Sequence, residues 1–402
     1  MNKKRKKRFY PNLVKAVVEA MVLIFEEGQQ SDRVVRSVLQ QNKKWGSRDR
    51  RFVSSSIYDM VRWYRLLYEV VGHPPKGIAD WWKLFAVLQI WQGEELPPWQ
   101  EFEELDKEWI KEQLGTVQTN PAVRTAFPDW LSQKIRDAYG KSGDTLLSQL
   151  NVPAPLVIRV NTLKTTKISL QKAFEKEGII TEALDGDALL IPERKKLTHL
   201  SVFRQGWFEI QDYSSQLVAP RLGVQPGMTV IDACAGAGGK TLHIAALMQN
   251  SGRIIAMDVS RRKLEELQKR ASRAGVTIIE THLIHPEEDF SEFIEAADRL
   301  LLDVPCSGTG TIRRSPDIKW KLKEEHLSKH ILEQQSILDN YPTMLKPTGA
   351  MLYATCSILP EENTLQIDRF IAKNPSFSLS MERQILPDGI GDGFFLGLLR
   401  KN

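Results

Sequence analysis

Apolar residues recur along the first third of the chain at helical spacing. Val14, Val17, Val18, Met21, Val22 and Phe25 fall on one face of such a helix, and Ile57, Met60, Val61, Tyr64, Leu67 and Tyr68 repeat the pattern. Residues 10–148 are therefore expected to form an all-helical domain. In Asn151-Val-Pro-Ala-Pro two prolines interrupt any helix, which marks a linker. Strand patterns at 156–160 and 188–191 flank a helical one at 168–177, and predict a small α+β (RRM-like) domain over 152–212. From Ser214 onward short apolar runs alternate with amphipathic stretches. Strands are expected at 230–232, 253–257, 276–279, 300–303 and 350–355, with one helix starting near 240 and a charged one at 261–274. This alternation predicts a mostly parallel, doubly wound α/β sheet over 214–402, with ligands at the carboxyl ends of its strands.

Composition narrows the classes further. A chain of 402 residues with 42% hydrophobic and 26% charged residues has the balance of a globular protein of two or three domains. No stretch approaches the ~20 apolar residues of a membrane helix. Pro11, Asn12, Lys15 and Glu19 break any leader-like apolar core near the N-terminus, so a cytoplasmic protein is expected. The net charge of +5 admits a polyanionic partner. It is concentrated in a basic arm (1–9) containing Lys3, Lys4, Arg5, Lys6, Lys7 and Arg8, and again in Arg313, Arg314, Lys319, Lys321 and Lys323. Eight of the ten tryptophans precede residue 131, which suits packing between helices. Arg48, Arg50, Arg51, Arg62 and Arg65 interleave with those aromatics and would suit a surface facing a polyanion.

Three cysteines occur, Cys234, Cys306 and Cys356, and none has a Cys-x-x-Cys partner. That argues against a disulfide framework and against a metal site. Asp232-Ala-Cys-Ala-Gly-Ala-Gly-Gly-Lys-Thr241 follows a strand and opens a helix, so its small residues let backbone N–H groups approach a ligand. A Walker phosphate loop would need glycine where Cys234 stands, and a dinucleotide fingerprint begun at Gly236 would need glycine at Thr241. The remaining reading is S-adenosylmethionine. Asp258, at the end of the next strand, is placed to accept both ribose hydroxyls. Loop and acid together indicate a Rossmann-like class I methyltransferase domain.

Cys306, in Leu302-Asp-Val-Pro-Cys-Ser-Gly-Thr-Gly, and Cys356, in Tyr353-Ala-Thr-Cys-Ser, both fall at carboxyl ends of expected parallel strands. A thiol there has a use. Carbon 5 of cytosine is a poor nucleophile until a thiolate adds at carbon 6 and breaks the ring conjugation. A free thiol has a pKa of about 8.5 and needs a polar or cationic neighbour to ionise, for which Lys240 is a candidate. Asp303 is suited to hydrogen-bond the cytosine amino group and ring nitrogen. Residue types alone leave open which thiol attacks.

These motifs carry a resemblance. Asp303-Val-Pro-Cys-Ser-Gly-Thr-Gly with Ile312-Arg-Arg-Ser-Pro-Asp-Ile-Lys-Trp320, followed by Tyr353-Ala-Thr-Cys-Ser-Ile-Leu-Pro-Glu-Glu-Asn363, resembles the RNA cytosine-5 methyltransferases of the RsmB/Nop/Sun family. The likeness extends upstream through Arg159-Val-Asn-Thr-Leu-Lys164 and Gly206-Trp-Phe-Glu-Ile-Gln-Asp-Tyr-Ser-Ser215, and covers residues 150–402; the helical N-terminus resembles the extension of some bacterial members more loosely. The resemblance implies Cys356 as nucleophile and Cys306 as the thiol that assists product release. It implies S-adenosylmethionine contacts from Cys234, Ala235, Gly236, Ala237, Gly238, Gly239 and Lys240, and from Asp258 and Asp303.

Two departures stand out. The family loop usually has Ala-Pro where this chain has Gly236-Ala237. An acid that bonds adenine after the third strand is replaced by His282-Leu-Ile-His-Pro-Glu-Glu-Asp289, with His285 nearest in position and Asp289 readable as a surface acid. Arg159, Asn161, Arg313, Arg314 and Lys319 are candidate RNA contacts, while Lys321 and Lys323 suit a solvated helix start. The expected partner is RNA, ribosomal by resemblance to the bacterial small-subunit enzymes, with transfer RNA as the alternative and a monomer as the default. Two competing readings are a DNA cytosine enzyme, whose nucleophile would sit in a Pro-Cys motif, and a non-catalytic ribosome-assembly factor, in which the thiol motifs would have decayed.

Overall fold

The structure is a computed structural model and describes residues 8–193, 195–285 and 289–402. The basic run at 3–7 lies outside the described residues. The chain forms two compact units, Met1–Val152 with Ile312–Leu322, and Pro153–Thr311 with Lys323–Asn402.

The first unit is helical, as its apolar spacing predicts. Helices Pro11–Phe25, Ser47–Val71 and Ile78–Trp91 pack their apolar faces together, burying Val14, Val17, Met21, Ile57, Met60 and Leu84. Gly72, at φ 92°, ends the long helix because a left-handed residue cannot continue it. Most of the aromatics are core, as their distribution suggested, with Trp109 and Tyr10 exposed: Phe25 stacks on Tyr64 at 4.1 Å, and Tyr64 on Trp81 at 5.6 Å.

Ile312–Leu322 supplies part of that core. Trp320 packs edge-on against Tyr64 at 5.3 Å and donates its Nε1 proton to Val61 O at 2.7 Å. Asp317 accepts from the backbone N–H and the hydroxyl of Ser31, at 3.0 and 2.7 Å, and so caps helix Ser31–Gln41.

The second unit holds two sheets among the described residues. Strands β1 (Leu156–Val160), β2 (Glu182–Ala183), β3 (Ala188–Ile191) and β4 (Phe208–Ile210) form an antiparallel sheet in the order β2-β3-β1-β4, covered by helix Lys167–Lys176. The larger sheet comprises β5 (Thr229–Asp232), β6 (Arg253–Asp258), β7 (Ile279–Leu283), β8 (Ala297–Asp303), β9 (Leu345–Thr355), β10 (Phe377–Ile385) and β11 (Phe394–Lys401).

The order of the larger sheet is β10-β11-β9-β8-β5-β6-β7, with β9, β8, β5, β6 and β7 parallel and β10 and β11 added antiparallel. Both faces of this sheet are covered, which is why the middle of β8, Leu300-Leu-Leu302, is apolar at every position. Leu300 and Leu302 enter one core and Leu301 the other. The fold class predicted from alternation is therefore observed, with β2, β4, β10 and β11 as additions and the third parallel strand moved to 279–283.

The topology positions the site. From β5 the chain winds outward to β6 and β7, then returns to place β8 against the other edge of β5. The strand order reverses between β5 and β8, and in such sheets the ligand crevice opens beyond the carboxyl ends at that reversal.

Candidate active site

Four neighbouring strands, β6, β5, β8 and β9, deliver the candidate residues side by side. Asp258 ends β6, the glycine loop follows β5, Asp303 ends β8 with Cys306 just beyond, and Cys356 follows β9. Register locks them, with Asp232 opposite both Ala256 and Leu301, and Asp303 opposite Ala354.

The glycine loop is shaped by positive backbone angles at Gly236 (φ 56°) and Gly238 (φ 86°). A Cβ on Gly238 would lie 2.6 Å from Leu267 Cγ, so the loop sits too tightly on helix Arg261–Ala274 for any other residue. Ala235 N–H donates to Met257 O at 2.8 Å, tying the loop to β6. Helix Gly239–Leu247 then opens with its N–H groups at the cleft.

Asp258, 7% exposed, accepts from Gly236 N at 2.9 Å and from Ser260 N at 2.8 Å. Each of its oxygens keeps a second lone pair for a ribose hydroxyl. A side chain at Gly236 would meet nothing within 4 Å, so the loop faces open space there. The Gly236-Ala237 departure thus preserves the cradle, and loop and acid fit S-adenosylmethionine. Beneath them Thr241 Oγ1 donates to Asp232 Oδ2 at 2.7 Å, and burial pushes the Asp232 carboxyl up to about 7.

Lys240 donates to Asp303 Oδ2 at 2.6 Å and lies 5.0 Å from the centre of the Phe394 ring. Burial alone would lower its pKa, but the Asp303 carboxylate more than offsets this, and the net shift is upward. Cys306 Sγ and Cys356 Sγ stand 3.3 Å apart, both partly exposed. The contact with Cys356, followed by burial, raises the Cys306 thiol well above its usual value. Burial does the same to Cys234.

Other candidates fall elsewhere. Arg313 and Lys319, expected at RNA phosphates, are 1% and 0% exposed. Lys319 Nζ donates to Arg62 O, Ala126 O and Asn151 Oδ1 at 2.6, 2.9 and 2.9 Å, so its protons are spent inside the helical unit. Arg314 is half-buried in the same segment. Lys321, expected to be solvated, donates to Gln29 O and Asp317 Oδ2. Arg62 and Arg65 are buried too, and Arg50 donates to the carbonyls of Trp45, Leu39 and Asn42.

In the second unit, Asn161 is 5% exposed and its Nδ2 donates to Gly206 O and Ala274 O, at 2.8 and 2.9 Å. It fastens the small sheet to helix Arg261–Ala274. Arg159 is buried in register with Glu209, and burial lowers its pKa to about 10. Arg159, Asn161, Arg313 and Lys319, read as RNA contacts, are thus all buried in the protein rather than presented on its surface. His285 is exposed directly beyond β7, and Asp289 caps Ser291 on the surface.

Sequence reasoning missed the supports of the site. Arg270 donates to Ala237 O at 2.7 Å and to Glu209 Oε2 at 2.9 Å, bracing the loop from below. Glu362, 0% exposed, accepts from the Ser307 N–H at 2.8 Å. For Glu362 the acidic pair of the Pro-Glu-Glu-Asn run, in the loop that follows β9 and Cys356, was the available signal.

Comparison with known proteins sets this geometry in a family. The family model for 16S rRNA methyltransferase RsmB/F matches residues 219–396, and the ferredoxin-like domain model of RsmF/B-like proteins matches 127–196. Ribosomal RNA small subunit methyltransferase B of Pasteurella multocida is 35% identical over 302 residues, covering 71% of this chain and 67% of that protein. The protein of that name from Photorhabdus laumondii is 33% identical over 301 residues, covering 72% and 70%.

The chain belongs to the RsmB/F family. It is an S-adenosylmethionine-dependent methyltransferase, and the larger sheet is its Rossmann-like catalytic fold. A methyltransferase homolog protein from Pyrococcus horikoshii, 28% identical, covers 70% of this chain and 98% of its own with a TM-score of 0.62. Another crystal structure covers 99% of this chain and 100% of its own at a TM-score of 0.84 and 24% identity, which shows that the fold of the whole chain recurs.

Proposed function

We propose that this family member methylates carbon 5 of a cytosine in 16S ribosomal RNA, through a covalent bond from Cys356 to carbon 6. The observation that carries this reading is the pair of thiols 3.3 Å apart at adjacent strand ends, beside the Lys240–Asp303 ion pair. A methyltransferase that acted on an exposed amine or hydroxyl would have no use for two converging thiols.

S-adenosylmethionine, held by the Cys234–Lys240 loop and Asp258, supplies an electrophilic methyl group. The protein's own groups do the rest. Cys356, as thiolate, adds at carbon 6 and makes carbon 5 nucleophilic. Lys240 sits where a positive charge favours that thiolate. Asp303, with Oδ2 held by Lys240, has Oδ1 to turn toward the cytosine amino group. After transfer a base removes the proton from carbon 5, carbon 6 expels Cys356, and Cys306 assists that release. The target base must be unpaired or flipped out for the sulfur to reach it.

The test is a radiolabelled methyl-transfer assay with 16S RNA, competed by transfer RNA and by DNA. Cys356→Ala should abolish transfer, whereas Cys306→Ala should accumulate a protein–RNA adduct that survives denaturing electrophoresis. Full turnover by the Cys356 variant would sink the assigned nucleophile. Label entering transfer RNA or DNA instead would move the substrate.

A further inference from the structure

The two reactive sulfurs sit on irregular loops, and something must hold them 3.3 Å apart. The side chains themselves contribute the contact between the two sulfurs and, at Cys306, a hydrogen bond from the Gly308 N–H. The rest of the restraint falls on the residues either side of each.

Around Cys306, the following residue Ser307 gives its N–H to Glu362 Oε1 at 2.8 Å and its hydroxyl to Glu362 Oε2 at 2.5 Å. The preceding residue, Pro305, offers its carbonyl to Gln334 Nε2 at 2.9 Å, and that same amide donates to Glu362 Oε1 at 3.1 Å. Around Cys356 the next residue in sequence, Asn363, does the equivalent work. Its Oδ1 accepts the Thr355 hydroxyl at 2.5 Å and its Nδ2 donates to Ser357 O at 3.0 Å, so both neighbours of Cys356 are bound. Glu362 and Asn363 are each 0% exposed. Tyr353 OH donates to Glu362 O at 2.7 Å, which fixes the pair to β9.

We propose that Glu362 and Asn363 are the positioning residues of the two-thiol centre, Glu362 setting Cys306 and Asn363 setting Cys356. The proposal rests on the two-thiol reading above for its consequences in catalysis, but not for its geometry.

The chemistry of the two clamps differs, and that makes them separable. Glu362 Oε1 faces two N–H donors, of Ser307 and Gln334, so only an acceptor fits there, while Oε2 takes the proton of the Ser307 hydroxyl. Glu362→Gln keeps the shape yet turns an NH2 toward one of those donors. Asn363 needs an acceptor on one side and a donor on the other, since its Nδ2 also reaches Gln384 Oε1 at 2.9 Å. Asn363→Asp keeps the shape and sets oxygen against oxygen at both Ser357 and Gln384.

The experiment measures iodoacetamide alkylation of each cysteine against pH, resolved by peptide mass, in the full chain. Glu362→Gln removes a carboxylate near Cys306 and should shift that thiol's profile to lower pH, speeding its alkylation at least about threefold while leaving Cys356 alone. Asn363→Asp adds negative charge beside Cys356 and should slow alkylation there by a similar factor, leaving Cys306 alone. In methyl transfer, Glu362→Gln should slow product release about tenfold and accumulate adduct. Asn363→Asp should slow adduct formation without accumulation.

Unchanged profiles at both thiols would overturn the clamp. Altered profiles together with a wild-type chain that forms no adduct would leave the clamp standing and remove the covalent mechanism instead. Should either isostere fail to fold, Ser307→Ala and Thr355→Val each remove one leg of a clamp without changing its charge; a changed alkylation rate confined to Cys306 and to Cys356 respectively is then expected, and unchanged rates would overturn the clamp.

Discussion

Lys240 and Lys319 lie in different units and are both withdrawn from water, yet only one meets a carboxylate. Lys240, 13% exposed, holds Asp303 at the end of β8. Lys319, 0% exposed, meets two backbone carbonyls and an asparagine oxygen, over the Phe127 ring at 4.4 Å. The Asp303 carboxylate lifts the pKa of Lys240 against burial, whereas burial pulls that of Lys319 down. One cation pairs with a carboxylate at the proposed active site, and the other spends its three protons on holding helices to a strap of chain. Residue type and basic context are the same, so function here follows from the partner.

That contrast can be broken most sharply at Lys319. Replacing it by glutamate sets a buried carboxylate against three oxygens and should cost about 3–5 kcal/mol. A large fall in the thermal midpoint is expected, and a variant that melts like wild type would show that the ammonium is not structural.

Lys240→Met should do the reverse. We expect methyl transfer to fall about 100-fold, because a positioned charge beside the proposed nucleophile, Cys356, is lost. Stability should change by only about 1–2 kcal/mol, the cost of leaving Asp303 without its partner. Equal losses of stability at the two lysines would erase the distinction.

The smallest effect is in alkaline pH, and it has opposite signs. A lysine whose folded pKa exceeds its usual 10.5 stabilises the fold below that value and loses the contribution as pH rises through the folded pKa. A lysine whose folded pKa is depressed lets the unfolded state bind more protons, so stability grows as pH rises from the folded pKa toward 10.5. Urea titrations of wild type against Lys319→Met should therefore show wild type gaining as pH rises toward about 10. Against Lys240→Met the difference should hold flat over that range and shrink only above it. Parallel curves would contradict both assignments.

Much of the site was legible because it is local in sequence. Asp303 and Cys306 share one strand exit, Cys356 another, and the glycine loop announces itself by composition. Helix Arg261–Ala274 was readable to the residue, since its charged amphipathic pattern stops at Gly275, which adopts φ 74°. Strands β10 and β11 were missed. β10 is an edge strand in which exposed positions predominate, and Glu382 and Arg383 break any apolar signature.

The burial of Lys319 was beyond reach for a different reason. Its acceptors lie 257, 193 and 168 positions away along the chain, and nothing in Ile-Lys-Trp tells a buried ammonium from one on a phosphate. The clamp of Glu362 and Asn363 sits between these cases, visible as letters in a motif whose mechanical meaning needs the hydrogen bonds.

The strap Ile312–Leu322 has a practical bearing on dissection. A fragment begun at Pro153, chosen to isolate the larger sheet, would still carry Trp320, Lys319 and Asp317 but would have discarded Val61, Asn151 and Ser31, which receive them. Such a fragment would expose an indole and lose the sink for an ammonium group, inviting aggregation and proteolysis midway between its two cysteine motifs. The helical portion is thus no detachable accessory, and swapping it between relatives requires exchanging the strap as well.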